Sequence, residues 1–392
     1  MKEIKELIKS ILPEVTELRH TLHSIPEIGF SEFKTSEFIR SYLAGIGVET
    51  AEPFLGTEVT AFIKGNGENL KTILLRADMD ALPITEDTGL PYSSGHPGFA
   101  HSCGHDGHVA VLLGTAAVLS RLREKLNCNV QFLFQPAEES VAGGKTLTEA
   151  GYLDKYRVDE AYALHGWPGE KVGFIRFCRG PIMAYTEDFE IVLTGAGGHG
   201  AMPHLACDLI HAASRFIAAM KDEISVLSEP EKPAVFSVCS INGGSAFNVI
   251  PGRLVLKGTA RYLYKETGLR IDKLMHEYLD RFVTGIGGKY EILHPLPNYA
   301  ATFNDPELCS YLEMVSGKYA GKENSGSDAV CSMCGDDFGF FLEKVPGVYF
   351  RLGMGENHSS LHSNSYDFED GALENGISVM CGIILEQKQN II

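Results

Sequence analysis

Two adjacent glutamates, Glu138 and Glu139, close the run VQFLFQPAEES, where an apolar stretch stops at Pro136 and carboxylates follow at once. Neighbouring acids repel each other and are costly to desolvate, so the pair calls for a cation that neutralises one and leaves the other to act as a base. Donors for such a cation stand elsewhere in the chain. The segment HSCGHDGH carries Cys103 and His105, His165 follows the apolar run of EAYALHGW, and His362 sits in SSLHS. Two metals roughly 3.5 to 4 Å apart that share a water need about five protein ligands, one of them bridging. Cys103, His105, Glu139, His165 and His362 provide a thiolate, three imidazoles and a carboxylate. That set suits two divalent transition metals (zinc, manganese, nickel or cobalt) rather than calcium or magnesium, which prefer oxygen cages. Glu138 is then the general base, moving a proton from a metal-activated water to a leaving amine. Which of the two glutamates faces the metal is open from sequence alone.

Other residues carry two readings each. Asp78 and Asp80 stand two apart at the end of TILLRADMD and point to one side of an extended chain. They either orient a ligand histidine, as such imidazoles require, or cap the turn that follows; Asp106 has the same alternatives. His101 and His108 flank the ligand loop and read as core or solvent residues. The glycine-rich GAGGHGAMPH is no phosphate cradle, since it lacks both lysine and GxGxxG spacing. If it reaches the metals, His199 can donate a hydrogen bond to a developing oxyanion. Asn248 and Arg261 could fix a substrate carboxylate, an arginine fork matching that group bidentately, or could be ordinary strand-end and surface residues.

The elements that must position these groups follow from periodicity. Up to about residue 183, strands such as TILLRADMD, NVQFLFQ and EAYALHG alternate with helices, GHVAVLLGTAAVLSRLREKL the clearest. This predicts an α/β catalytic domain, a largely parallel mixed sheet flanked by helices, with ligands at strand C-terminal ends. From Tyr185 the order becomes β-α-β-β-α-β, an inserted ferredoxin-like α+β domain. The expected division is residues 1–183 with 295–392 for the metal-binding domain and 184–294 for the insertion. His362 can join the N-terminal ligands only if the C-terminal segment returns to the first domain.

Composition limits the partners. A formal charge of -17 and no cluster of Lys and Arg exclude nucleic acid and anionic membrane as expected partners. The N-terminal MKEIKELIKSILPE alternates charged with apolar residues and reads as an amphipathic helix rather than a secretory signal. No stretch of about 18 uncharged apolar residues offers a membrane span. The expected location is cytoplasmic, which suits nine cysteines, an odd count, held as free thiols. Cys331 and Cys334 have CxxC spacing, but without a second half the pair is no zinc site.

Taken together these motifs resemble the metal-dependent amidohydrolases that include hippurate hydrolase, N-acyl-amino-acid amidohydrolases and auxin-conjugate hydrolases, within the aminoacylase and di-zinc carboxypeptidase superfamily. The resemblance runs from RHTLHSIPEIGFSEFKT through LRADMDALPI, HSCGHDGH, FQPAEE, GGHGAMPH and NVIPG to the LHS of His362. It implies a binuclear site with the five ligands above, Glu138 as base, and a homodimer through the inserted dimerisation or lid domain. It also implies that His199 reaches the neighbouring subunit's site and polarises the scissile carbonyl. Ser140 stands where a glycine usually follows PAEE, Gly252 where an acid follows NVIP, and Asp336 and Asp337 where Glu-Asp-Phe is usual. None of these removes a ligand. The expected reaction is hydrolysis of an N-acyl (acetyl or aroyl) amino acid to a carboxylate and a free amino acid. Alternatives are a dipeptidase or carboxypeptidase acting on dipeptide-like substrates, a Cys103/His105 thiol mechanism, and a non-catalytic binding protein on the same scaffold.

Overall fold

The computed structural model describes residues 2–230 and 232–388; the side chain of Ser140, one of the departures noted above, lies outside the described residues. The longer strands are β1 (Val59–Ile63), β2 (Thr72–Asp78), β3 (Asn129–Gln135), β4 (Glu160–Pro168), β5 (Tyr185–Thr194), β6 (Ala234–Asn242), β7 (Arg253–Tyr262), β8 (Lys289–Leu293) and β9 (Gly347–Gly355). The longer helices are α1 (Lys2–Ser24), α2 (Phe33–Gly45), α3 (His105–Arg121), α4 (Leu209–Leu227), α5 (Lys265–Phe282) and α6 (Leu373–Leu385). The chain divides into two compact units. One comprises residues 1–182, 302–331 and 337–392, the other residues 183–301 and 332–336.

The first unit is built on an eight-stranded sheet whose centre runs β3-β2-β4-β9, all parallel. β1 joins β3 antiparallel, and short antiparallel and edge segments complete both ends. The central strands read as continuous apolar runs because helices cover the sheet: in β2, β3 and β9 almost every residue is buried. Helix α3 is buried from His105 to Ser120 and packs on α1 and α6. Its sequence, apolar on every side, suits a central helix. Parallel strands end on the same side, so Asp78, the turn after Gln135, His165 and the loop after Gly355 converge at one edge of the sheet.

The second unit carries a four-stranded antiparallel sheet, order β6-β7-β5-β8, with α4 and α5 between strands in the β-α-β-β-α-β sequence of a ferredoxin-like unit. It has its own core, including Phe189, Ile191, Phe216, Leu256 and Leu279. β6 lies at the sheet edge. All nine cysteines are free. No helix of the described residues is long and apolar enough to cross a membrane.

Candidate metal centre

Four local devices set the candidate donors in place. β2 ends at Asp78, and two residues on the Asp80 carboxylate accepts the backbone N–H groups of Glu138 and Glu139, each at 3.0 Å. The two glutamates occupy a single turn between Ala137 (φ 57°) and Ala142 (φ 52°), both left-handed. Such a conformation in a non-glycine residue is uncommon and costs energy, and it recurs where side chains must be aimed. His362 is left-handed too, at φ 61°, and its N–H is tied to the Ser102 carbonyl at 2.8 Å, which binds the C-terminal loop to the HSCGHDGH segment. Between Cys103 and His105, Gly104 takes φ 84°, and a Cβ there would lie 2.9 Å from the Tyr366 hydroxyl, so only glycine fits.

The donor atoms of Cys103, His105 and His165 lie within 4.8 Å of one another, as do those of Cys103, Glu139 and His362. Two triads therefore share one thiol. His165 donates from Nδ1 to the Gly166 carbonyl at 2.8 Å, which leaves Nε2 unprotonated and 3.4 Å from the Cys103 sulfur. His105 places Nδ1 3.4 Å from Asp80 and Nε2 3.8 Å from Glu139; His362 Nε2 is 3.4 Å from the same Glu139 oxygen. His105 Nε2, on the side away from Asp80, and Glu139 Oε1 are buried without a hydrogen-bond partner. Such orphaned donors and acceptors are costly unless something coordinates them. This donor set fits two divalent metals.

Electrostatics agree. Burial works against a charged His105, but Asp78, Asp80 and Glu139 overcome it and raise its pKa to about 10. Burial pushes the Cys103 thiol well up, and Glu139, Glu138 and Asp78 push it further. Protons thus stand in for cations among crowded carboxylates, and metal binding must release them. His165, buried beside His108 and His105, is held well below the usual imidazole range and stays neutral, as a ligand must be.

Glu138 is also buried, and its Oε1 accepts the Asp337 N–H at 3.4 Å. Asp337 is locked in turn by Arg76 at 2.7 Å, by Gln135, and by the Gly144 N–H at 2.7 Å. Arg76 also grips Asp78 at 2.6 Å. The closest imidazole to Asp78 is His108, at 2.6 Å, whose other nitrogen accepts the Gly166 N–H at 2.8 Å. Both His108 nitrogens are therefore spent, and it is a strut rather than a donor. Asp106 turns away from the candidate donors: its carboxylate meets His23 at 2.8 Å and Arg19 at 3.3 Å, not a candidate donor imidazole. Of the three aspartates read as orienting groups or caps, Asp80 does both jobs, Asp78 steadies His108, and Asp106 anchors α1.

His199, Asn248 and Arg261 belong to the second unit. His199 pairs with Val249 across a two-residue ladder, and its Nδ1 accepts the Ala201 N–H at 3.1 Å, so its proton sits on Nε2. The Asn248 carbonyl accepts the Gly200 N–H at 2.7 Å. Arg261 donates from Nε to Thr259 at 2.8 Å and lies 3.6 Å from Asp188, so part of its fork is already engaged.

Sequence reasoning assigned no part to Arg19, His23, Arg76 or, beyond its place in a motif, Asp337. The signal for the first two was present in RHTLH, quoted without a role. Arg19 is wholly buried and paired with Asp106, Asp367 at 2.6 Å and Asp370 at 2.7 Å. His23 is buried, and although burial opposes its charge, Asp106 and Glu86 raise its pKa to about 10. Because that folded value exceeds the unfolded one of about 6.5, the stability it contributes is complete below about pH 6.5 and is lost as pH rises through its folded pKa. The Tm of metal-loaded protein should fall across that window, and His23→Gln should begin lower and slope less. A wild-type Tm that stays level across the window would contradict this.

N-acetyldiaminopimelate deacetylase of Listeria monocytogenes is 37% identical over 94% of this chain and 98% of its own. N-acetyl-L-cysteine deacetylase of Bacillus subtilis is 36% identical over 88% of this chain and 81% of its own. The crystal structure of a dinuclear metal-binding peptidase of family M20 from Bacillus subtilis superposes with TM-score 0.82 at 31% identity, covering 96% of this chain and 98% of that one. The profile of peptidase family M20/M25/M40 matches residues 74–386, and the chain belongs to that family.

Proposed function

We propose that the chain is an N-acyl-amino-acid amidohydrolase, cleaving the amide between an acyl group and an amino acid. It is a hydrolase of carbon–nitrogen bonds, as its deacetylase relatives are named. The observation that carries the reading is the pair of donor triads meeting at Cys103 with Glu138 beside them. Cys103, His105, His165, Glu139 and His362 would hold the two metals, the thiol being the donor common to both triads. When bound, the metals would acidify a water and polarise the scissile carbonyl.

The chain's own groups do the rest. Glu138, held by Asp80 at its backbone and by the Asp337 N–H at its carboxylate, takes a proton from the attacking water and delivers it to the amine nitrogen as the C–N bond breaks. His199, with its proton on Nε2, is assigned as donor to the oxyanion, from the neighbouring protomer of a homodimer. The edge strand β6 of the second unit is the assigned dimer seam, since an unpaired edge invites pairing. Asn248 and the free part of the Arg261 fork are assigned to the amino-acid carboxylate.

The thiol alternative loses ground on electrostatics. Cys103 is buried among carboxylates that keep it protonated, the opposite of an activated nucleophile. The test is metal content by elemental analysis of untagged protein, with hydrolysis of acetyl and benzoyl amino acids and of dipeptides before and after chelation. About two equivalents of transition metal are expected, with activity lost to chelator and restored by metal. Activity indifferent to chelation, in protein without metal, would return the thiol mechanism. Faster cleavage of dipeptides than of acyl amino acids would shift the assignment to a dipeptidase.

A further inference from the structure

Three arginines are buried among the described residues: Arg19, Arg76 and Arg351. The first two follow the rule that a buried charge is paired. Arg19 meets three aspartates and Arg76 two. Arg351 breaks it. With 5% of its surface exposed, it has no hydrogen bond or ion pair with any described residue, and its Nε and Nη2 are closed to solvent with no acceptor. Those two atoms form the edge of a guanidinium that grips a carboxylate side-on. Glu170 acts on it from a distance, but that acid is held by Arg176 Nε at 2.7 Å. Burial works against the charge here, and the distant Glu170 does not overcome it.

Its place in the fold is as telling as its isolation. On the parallel ladder β4–β9, Arg351 stands directly opposite His165, so the two side chains leave the sheet on one face. The guanidinium lies 4.0 Å over the ring of Trp167, itself only partly buried, and that ring is 6.0 Å from the His165 imidazole. An indole holds a guanidinium by its face and leaves the in-plane edge for an anion. A cation without a counterion, one strand from a metal donor, fits a counterion that arrives with the substrate.

We propose that Arg351 and Trp167 form an anion subsite that takes a carboxylate of the substrate. This deepens the amidohydrolase reading and rests on it. The carboxylate is either the α-carboxylate common to acyl amino acids or a second one on a dicarboxylic substrate. Because Nε and Nη2 are sealed, occupancy requires Trp167 or the opposite wall to shift. Trp167 is the chain's sole tryptophan, so its fluorescence reports that shift without interference.

The experiment titrates the full-length protein, metal-loaded and chelator-stripped, with glutarate and its neutral counterpart glutaramide while following Trp167 emission. A saturable change with glutarate alone, retained after stripping and absent in Arg351→Gln, is expected; glutarate held only by the metals would lose its signal on stripping. In kinetics on metal-loaded protein, Arg351→Gln should raise KM by about 10- to 100-fold. A rise confined to N-acetylglutamate against N-acetylglutamine assigns the side-chain carboxylate, and an equal rise for both assigns the α-carboxylate. Arg351→Lys keeps the charge without the fork and should fall between, which covers failure of the glutamine variant to fold. No glutarate-dependent change in wild type, a change that persists in Arg351→Gln, or KM unaltered for both substrates would overturn the proposal. Stripped-protein binding needs no catalysis, so a failed amidohydrolase reading would show separately, as no hydrolysis despite intact glutarate binding.

Discussion

Glu138→Gln should lower kcat by about 10²- to 10⁴-fold, the range that a positioned acid–base group contributes, while metal content and KM stay near wild type. The argument rests on what the substitution keeps. Glutamine has the same length, and its amide oxygen can still accept the Asp337 N–H that Oε1 accepts at 3.4 Å. The Asp80 bonds to the backbones of residues 138 and 139 are untouched, so Glu139 keeps its aim toward His362 and His105. Only proton transfer is lost. Elemental analysis beside steady-state kinetics checks the result. A variant that loses metal together with activity would mean that Glu138 is a ligand and Glu139 the base, reversing the assignment. A variant with full kcat and bound metal would remove the general base from the mechanism, and with it the strongest argument against a binding protein on this scaffold.

The structure also separates what a linear reading can reach from what it cannot. Strands β2, β3 and β4 were legible because their apolar runs lead into polar residues, and β9 from its apolar run; a parallel sheet brings their ends together. The ferredoxin-like order was legible for the same reason, from alternating periods of two and 3.6. One detail shifted: His165 lies inside β4, which continues to Pro168, rather than after its end. Residue type marked the candidate donors that the structure brings together, since cysteine, histidine and glutamate near strand ends suit metal coordination. Type could not mark the supports. Arg76 looks like one polar residue interrupting a strand, and its partner Asp337 is 261 positions away. Arg19 and Asp106 are separated by 87 positions. Arg351 sits in GVYFRLG, where the sequence shows a strand and nothing of the missing counterion. His108 and Asp106 illustrate the converse, since their residue types fit a metal centre while their hydrogen bonds commit them elsewhere.

Cys103→Ala should remove both metals, whereas His165→Ala and His362→Ala should each remove about one. The asymmetry follows from the triads: Cys103 belongs to both, His165 only to the one with His105, and His362 only to the one with Glu139. Removing the thiol also leaves Glu138, Glu139 and Asp78, the acids that act on it, buried with one fewer group to hold a neutralising cation. Activity should fall below detection for Cys103→Ala and by orders of magnitude for the two histidine variants, because a shared water needs both metals. His362 should give the milder loss of the two. Its side chain is 54% exposed, whereas His165 is only 5% exposed, so solvent can fill the position His362 leaves. Metal-to-protein ratios measured on the three variants decide the matter. Equal loss of one equivalent from all three would place Cys103 on a single metal and require another residue to bridge. Glu139 would then be first in line, since its Oε1 already lies 3.8 Å from His105 and 3.4 Å from His362, donors of the two different triads.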